Sequence, residues 1–233
     1  SSSLLLSPPS FRLVTRLGEP GLPVQRLDVA AADGGNYRYR VSASNPGFRL
    51  DGASGEYVTP FAITPNIQAL NNVPGAFSGY IELQAVDGFS PTVRVPVDLT
   101  VQPPPTLFVT PNVLTVSMRQ NDPPVTRGIA LTASELSLTY LVETLTPIGG
   151  NWLTVTPVLG DSPANLNVVF NPVGLAQGTY SGTIRITANR NGVVAVGSPK
   201  TVAVSLTVDA ANPTSGFTAT PQSTTQSTRC TLI

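Results

Sequence analysis

The sequence repeats itself. LLLSPPSFRLV, from Leu4 to Val14, resembles LFVTPNVLTVS, from Leu107 to Ser117, in order and spacing. Pro23-Val24-Gln25-Arg26 is answered by Pro124-Val125-Thr126-Arg127, and AFSGYIELQA (Ala76 to Ala85) by TYSGTIRITA (Thr179 to Ala188). Each copy closes alike, with Val97-Asp98-Leu99-Thr100-Val101 against Val204-Ser205-Leu206-Thr207-Val208. The separation drifts from 101 residues at Pro23 and Pro124 to 107 at Val97 and Val204, as short loop insertions produce, for instance around Asn191 to Ser198. A period of about 100 residues is the size of a domain, so 233 residues read as two tandem copies of one unit.

Within each unit, apolar side chains recur at every second position. Val93, Val95 and Val97 alternate with Arg94, Pro96 and Asp98; Val202, Val204, Leu206 and Val208 alternate with Ala203, Ser205 and Thr207; Ile184 and Ile186 alternate with Thr183, Arg185 and Thr187. That period is the strand period, one face toward a core and one toward water. The 23 prolines punctuate at short intervals and exclude long helices. Thr132 to Leu141 has helical leanings, yet Thr139-Tyr140-Leu141-Val142 reads as strand. About seven short strands per unit predict an all-β chain of two tandem immunoglobulin-like antiparallel β-sandwich domains.

The expected organisation is a first domain over 1–102, a proline linker at 103–106, a second domain over 107–208 and a tail over 209–233. Pro103-Pro104-Pro105 favours an extended, semi-rigid connection that separates the two units and limits their swing. The tail is rich in Ser, Thr, Ala and Pro, the composition of a flexible or O-glycosylatable stalk. The opening Ser1-Ser2-Ser3 without methionine suits a processed mature protein or an excised fragment.

Composition excludes several classes of function. Charged residues are 11%, against roughly 25% in an average soluble domain. Solubility then rests on hydroxyl and amide side chains, a pattern of secreted and surface β proteins. Formal net charge is zero and Lys200 is the only lysine, which argues against an electrostatic grip on nucleic acid or anionic lipid. No apolar run approaches the ~20 residues of a membrane span. The single cysteine, Cys230, allows no intrachain disulfide. With no histidine, the usual acid–base residue and any Ser-His-Asp arrangement are absent. The acidic residues near loops, Asp28, Asp33, Asp51 and Asp87, lack the spacing of a calcium loop. The expectation is a chain that is not an enzyme, with no cofactor and no metal.

From Gly149 to Val208 the sequence resembles the bacterial BACON-type and related immunoglobulin-like repeats. The shared features are Trp152 to Val155, the Thr156-Pro157 turn, Gly178 to Ile184 and Val202 to Val208; the first copy matches in outline. The resemblance implies a module of a large surface or secreted protein, often beside carbohydrate-active domains, with glycan binding proposed for some members.

Trp152, the sole tryptophan, is a candidate ligand contact, because strict alternation sets it opposite Leu153 and Val155. An exposed tryptophan stacks on sugars or anchors partners; otherwise it covers the open end of the sandwich. Aligning Gly55 with Gly160 puts Phe48 and Leu50 on Leu153 and Val155 and leaves Gly47 opposite Trp152, so the first copy lacks this aromatic. Tyr37 and Tyr39 flank Arg38, either as a stacking site or as a cross-strand ladder. Tyr180 sits where a tyrosine corner would pin a loop, and Phe77 replaces it in the first copy.

Three functions are consistent with this pattern. One is an extracellular or cell-surface structural or assembly module, a spacer, stalk or filament subunit whose partners are other copies of itself or other surface proteins. Strand exchange is one route to such assembly, and Leu4, Leu5, Leu6, Phe217, Leu232 and Ile233 are the candidate donors. The others are a carbohydrate-binding module and an adhesion module of a larger protein.

Overall fold

The computed structural model describes residues 4–35, 38–52, 60–86 and 91–213. In the N-terminal half the strands are β1 (Leu4–Ser7), β2 (Phe11–Arg16), β3 (Gln25–Ala31), β4 (Tyr39–Ala43), β5 (Phe48–Asp51), β6 (Phe61–Pro65), β7 (Gly75–Ala85) and β8 (Val93–Gln102). In the C-terminal half they are β9 (Leu107–Thr110), β10 (Val113–Arg119), β11 (Val125–Ala133), β12 (Thr139–Leu145), β13 (Leu153–Thr156), β14 (Leu159–Asp161), β15 (Ala164–Phe170), β16 (Gly178–Arg190), β17 (Val193–Val194) and β18 (Lys200–Asp209). The region from Thr132 to Leu141 carries strand and loop.

The duplication in the sequence is a duplication of topology. Sheet order β1-β3-β6-β5 is repeated as β9-β11-β15-β13, and β2-β8-β7-β4 as β10-β18-β16-β12, with β14 added at the β12 edge and β17 beside β16. Grouping the first, second, fifth and fourth main strands in one sheet and the third, sixth and seventh in the other is the immunoglobulin arrangement. The chain is therefore all-β and immunoglobulin-like.

Among the described residues, strand pairing is antiparallel except that β2 runs parallel to β8 and β10 parallel to β18, and Thr106 forms an isolated parallel bridge with Val196. The antiparallel sheets expected from the sequence are present, with these parallel strands added at their edges. The cause is in the repeated motif itself. Ser7-Pro8-Pro9-Ser10 and Thr110-Pro111-Asn112 end β1 and β9, since proline offers no N–H to the ladder. The chain then crosses to the opposite sheet and lies along its last strand.

Alternation fills the space between the sheets. On β10, Leu114, Val116 and Met118 point inward, and across it on β18 so do Val204, Leu206 and Val208. The buried apolar residues fall into two clusters, one from Phe11 to Val101 and one from Leu107 to Val208. Each such side chain stabilises by about 1.5–3 kcal/mol relative to exposure.

The expectation for the N-terminal segment changes. Leu4, Leu5 and Leu6 are not a free donor strand: β1 is paired along its length with β3 of the same half, Leu4 opposite Ala31 and Leu6 opposite Val29. Leu4 and Leu6 pack on the core, so alternation extends into them and claims the segment for its own sandwich. The proline segment lies along the C-terminal half. Pro104 and Pro105 are buried. Val196 N–H donates to Pro105 O (3.0 Å), Leu107 N–H to Val196 O (2.9 Å), and Thr106 and Ser134 exchange two bonds of 3.0 Å. The connection is sewn to the C-terminal half. Phe217, Leu232 and Ile233 lie outside the described residues, as does Tyr37.

Candidate functional site

Side-chain hydrogen bonds and ion pairs join the two halves where the end of β2 meets two loops of the C-terminal half. At the end of β2, Leu17 N–H donates to Gln102 O (3.0 Å) and Glu19 N–H to Arg16 O (3.2 Å), folding Arg16–Glu19 into a tight turn. Gly18 reverses the chain there at φ +85°. A Cβ on it would stand 2.7 Å from the carbonyl oxygen of Arg190, so both backbone conformation and close approach demand glycine.

Two loops of the C-terminal half close on this turn. The first is the tip of the β16–β17 hairpin, where Asn191 (φ 48°) and Gly192 (φ 83°) form the Asn-Gly turn that the strand twist favours. Arg190 Nε donates to Glu19 Oε1 (2.5 Å) and Nη2 to Oε2 (3.5 Å), a two-pronged contact, while Nη1 donates to Ser137 O (2.9 Å). Asn191 Nδ2 donates to Gly18 O (2.5 Å). The second is the loop between β11 and β12, where Glu135 pairs with Arg16. Arg16 also donates to Pro103 O (2.8 Å) and Gln102 Oε1 (2.9 Å), so one guanidinium ties the turn, the connection and the opposite half together. Its side chain is 12% exposed.

The charges alternate across the joint. The Glu19 carboxyl is held below its ordinary 4.5, first by the hydrogen bond from Arg190 and then by the charges of Arg190 and Arg16, against the opposing effect of burial. The same hydrogen bond raises Arg190. The described side chains of the joint meet in ion pairs and hydrogen bonds that run from one half to the other.

The aromatic candidates occupy other places. Trp152 is 2% exposed, which corrects its reading as a ligand contact and leaves the role of end cover. It precedes β13, so strand alternation does not govern it. Its ring turns inward against Phe170 and Tyr180, 6.3 Å between centroids in each case, and Nε1 donates to Ile148 O (3.0 Å). Tyr39 is 1% exposed at the head of β4, not an exposed stacking ring; it continues the inward row of Val41 and Ala43. Tyr180 Oη donates to Ala176 O (2.9 Å), four residues upstream, as a tyrosine corner does. Phe48 is buried, and Phe77 packs on the same cluster.

Gly47 replaces Trp152 in the first copy, and the backbone shows the equivalence: Asn66 N–H donates to Gly47 O (2.8 Å) as Asn171 N–H does to Trp152 O (2.9 Å). There Leu70 fills the place of the ring, so close that a Cβ on Gly47 would lie 2.7 Å from it. Gly79 and Gly182 stand at the same place in both copies, and both are closely packed. A Cβ would stand 2.9 Å from Phe48 in the first and 3.2 Å from Leu153 in the second.

The described surface also carries grooves, among them one beside β9. It measures about 340 Å³ and is lined by Phe108, Thr110, Asn112, Lys200 and Thr201, where β9 leaves its sheet. Among the described residues no three His, Cys, Asp or Glu side chains converge as a metal site would require.

The joint residues Arg16, Gly18, Glu19, Glu135, Arg190 and Asn191 were not singled out by sequence reasoning. Their charges are spread singly along the chain, and the one available signal was the length drift near Asn191 with its Asn-Gly pair.

No family model and no curated protein matches the chain. Among solved structures it is similar to the titin domains Z1Z2 in complex with telethonin, at a TM-score of 0.43 and 10% identity over 91% of this chain and 98% of that one. It is also similar to PapD-like domain 7 of human CEP192, at 0.39 and 9% over 46% and 87%. A third is the endo-fucoidan hydrolase MfFcnA4 of glycoside hydrolase family 107, at 0.34 and 12% over 91% and 29%. At these levels of identity the activities in those names do not extend to this chain.

Proposed function

We propose that the chain is a non-catalytic structural module working outside the cell or on its surface, a spacer in which two sandwich domains are locked end to end. The domains are 1–102 and 107–208, and the second is of the BACON type by its Trp152 to Val155 and Gly178 to Ile184 motifs. The observation that carries this reading is the joint. Two loops of one half grip a turn of the other through Glu19–Arg190, Arg16–Glu135 and Asn191–Gly18, and the connecting prolines are hydrogen-bonded rather than loose. A tether that merely linked two independent binders would not need that grip. The hydroxyl-rich, low-charge composition supports an extracellular place.

Small-angle scattering tests the reading. The wild-type chain should give one maximum dimension that does not change with salt up to moderate concentration. Glu19→Ala with Arg190→Ala should broaden the distance distribution while both cores stay folded. Equal scattering from the two proteins would refute a spacer fixed at its joint.

A second reading, glycan-directed adhesion, loses Trp152 but gains the Phe108 groove, where a half-exposed ring stands among Asn112, Lys200 and Thr201. A glycan array with the Phe108→Ala variant as control decides it.

A further inference from the structure

The two copies share the crossing from sheet to sheet but line it with different chemistry. In the first, Leu5, Ser7 and Pro9 lead into β2, and Val93 opens β8 opposite Leu83. In the second, Phe108, Thr110 and Asn112 lead into β10, and Lys200 opens β18 opposite Ile186. A ring, an amide and an ammonium thus stand where the first copy has leucine, proline and valine. They border the groove of about 340 Å³, a volume at the small end of the range for ligand sites.

Lys200 is the only lysine of the chain. Among the described residues its ammonium has no ion pair or hydrogen bond, and no carboxylate lines the groove. Its side chain runs over Gly197, where a Cβ would stand 3.4 Å from Cε, 3.6 Å from Nζ and 3.5 Å from Leu107 O. The glycine therefore lets the ammonium lie close to the start of β9. Phe108, next along β9, is 50% exposed. Asn112 is fixed beside β18 by its backbone, since Ala203 N–H donates to Asn112 O (3.2 Å).

Both borders of the groove are strand edges, yet an added strand does not fit them. Val196 O already takes the Leu107 N–H (2.9 Å), and Pro111 follows the end of β9. On the other side β10 covers β18 from Ala203 onward. By alternation Val109 and Thr201 alone keep backbone groups turned to the gap, too few for a ladder. The space suits a small ligand that has an apolar face, several hydroxyls and a negative charge.

We propose that this groove binds an acidic sugar unit, carrying a carboxylate or a sulfate ester. Phe108 takes its C–H face, Thr110, Asn112 and Thr201 meet its hydroxyls, and Lys200 meets the anion as a compact charge. A neutral apolar ligand would strip water from the ammonium without replacing it, and a bare anion would leave the ring in water. The chain's net charge is zero, so the attraction is local to the groove. The proposal deepens the glycan-directed reading above and rests on it.

The test is a glycan array of the full chain with neutral, uronate-bearing and sulfated oligosaccharides, the last two arms showing which anion is taken. Acidic glycans should bind at least about fivefold more tightly than their methyl-esterified or desulfated forms, the size of one exposed ion pair. Titration of the strongest should shift the amide NMR signals of Phe108, Val109 and Thr201 and leave those of Leu5 and Val93 in place. Lys200→Gln should weaken the acidic form about fivefold and leave the neutral form unchanged, whereas Phe108→Ala should weaken both about tenfold. The same spectra report that each variant is folded. Neutral glycans bound through Phe108, with Lys200→Gln without effect, would overturn the proposal and spare the adhesion reading; no glycan bound at all would remove both. Displacement of the sugar by an equal concentration of hexaglutamate would show charge alone at work and overturn the proposal too.

Discussion

Replacing Trp152 with alanine should unfold the C-terminal half at much lower denaturant while leaving the N-terminal half almost untouched. The ring is 2% exposed and lies against Phe170 and Tyr180 at the end of the sandwich. Tryptophan-to-alanine changes at buried sites cost about 3–5 kcal/mol, the transfer loss plus the cavity left behind. The Nε1 bond to Ile148 O adds little, because Ile148 is 73% exposed and water can reach its carbonyl. Packing therefore decides the outcome. With a urea slope of about 2 kcal/mol/M, a loss of 4 kcal/mol lowers the midpoint by about 2 M. Circular dichroism during urea unfolding measures it, with Trp152→Phe as the intermediate case that keeps an aromatic ring. The two clusters of buried residues share no member, so the transition of the first half should not move by more than its joint contacts contribute. A loss below about 1 kcal/mol would refute a closed end, and equal shifts of both halves would refute two separate cores.

Tyr180→Phe should destabilise the C-terminal half by about 0.5–1.5 kcal/mol, the usual worth of one hydrogen bond, since it removes the donor to Ala176 O; thermal unfolding checks this. Gly182→Ala sets a Cβ 3.2 Å from Leu153 and 3.3 Å from Trp152, and overpacking of this kind costs about 1–3 kcal/mol in urea titration. The joint should respond to acid in one direction. The Glu19 carboxyl titrates below 4.5 when folded, so its contribution is complete above that value and fades as pH falls through the lowered one. Scattering from pH 6 down to pH 3 should show the halves loosening at the acid end, and Glu19→Gln should show that looser state at pH 6.

Duplication and alternation made the fold legible, because both report on burial and burial decides where strands lie. Val202, Val204, Leu206 and Val208 face inward as their spacing requires, and the alignment of Phe48 with Leu153 recurs in the register, Phe48 opposite Pro65 and Leu153 opposite Phe170. Alternation failed where strands had not yet begun. Trp152 precedes β13, and its side chain is steered by the loop bond to Ile148 rather than by the pleat. Crossing from sheet to sheet at Pro8 and Pro111 is encoded in the repeated LSPPS and VTPNV, but parallel pairing follows from which strand lies opposite, a long-range matter.

The joint was hidden for a related reason. Arg16 and Glu135 are 119 residues apart, Glu19 and Arg190 are 171 apart, and an isolated arginine in a loop carries no sign of what it will meet. Gly18 and the Asn191-Gly192 turn mark places of tight backbone, not the contact between them.

Residual dipolar couplings from backbone amides of both halves, in one weakly aligned sample at pH 7, test the fixed joint most directly. Both halves should fit a single alignment tensor, and Glu19→Ala with Arg190→Ala should split it into two of unequal magnitude. Two different tensors in the unaltered chain would mean that the halves turn freely and that the ion pairs hold nothing in place.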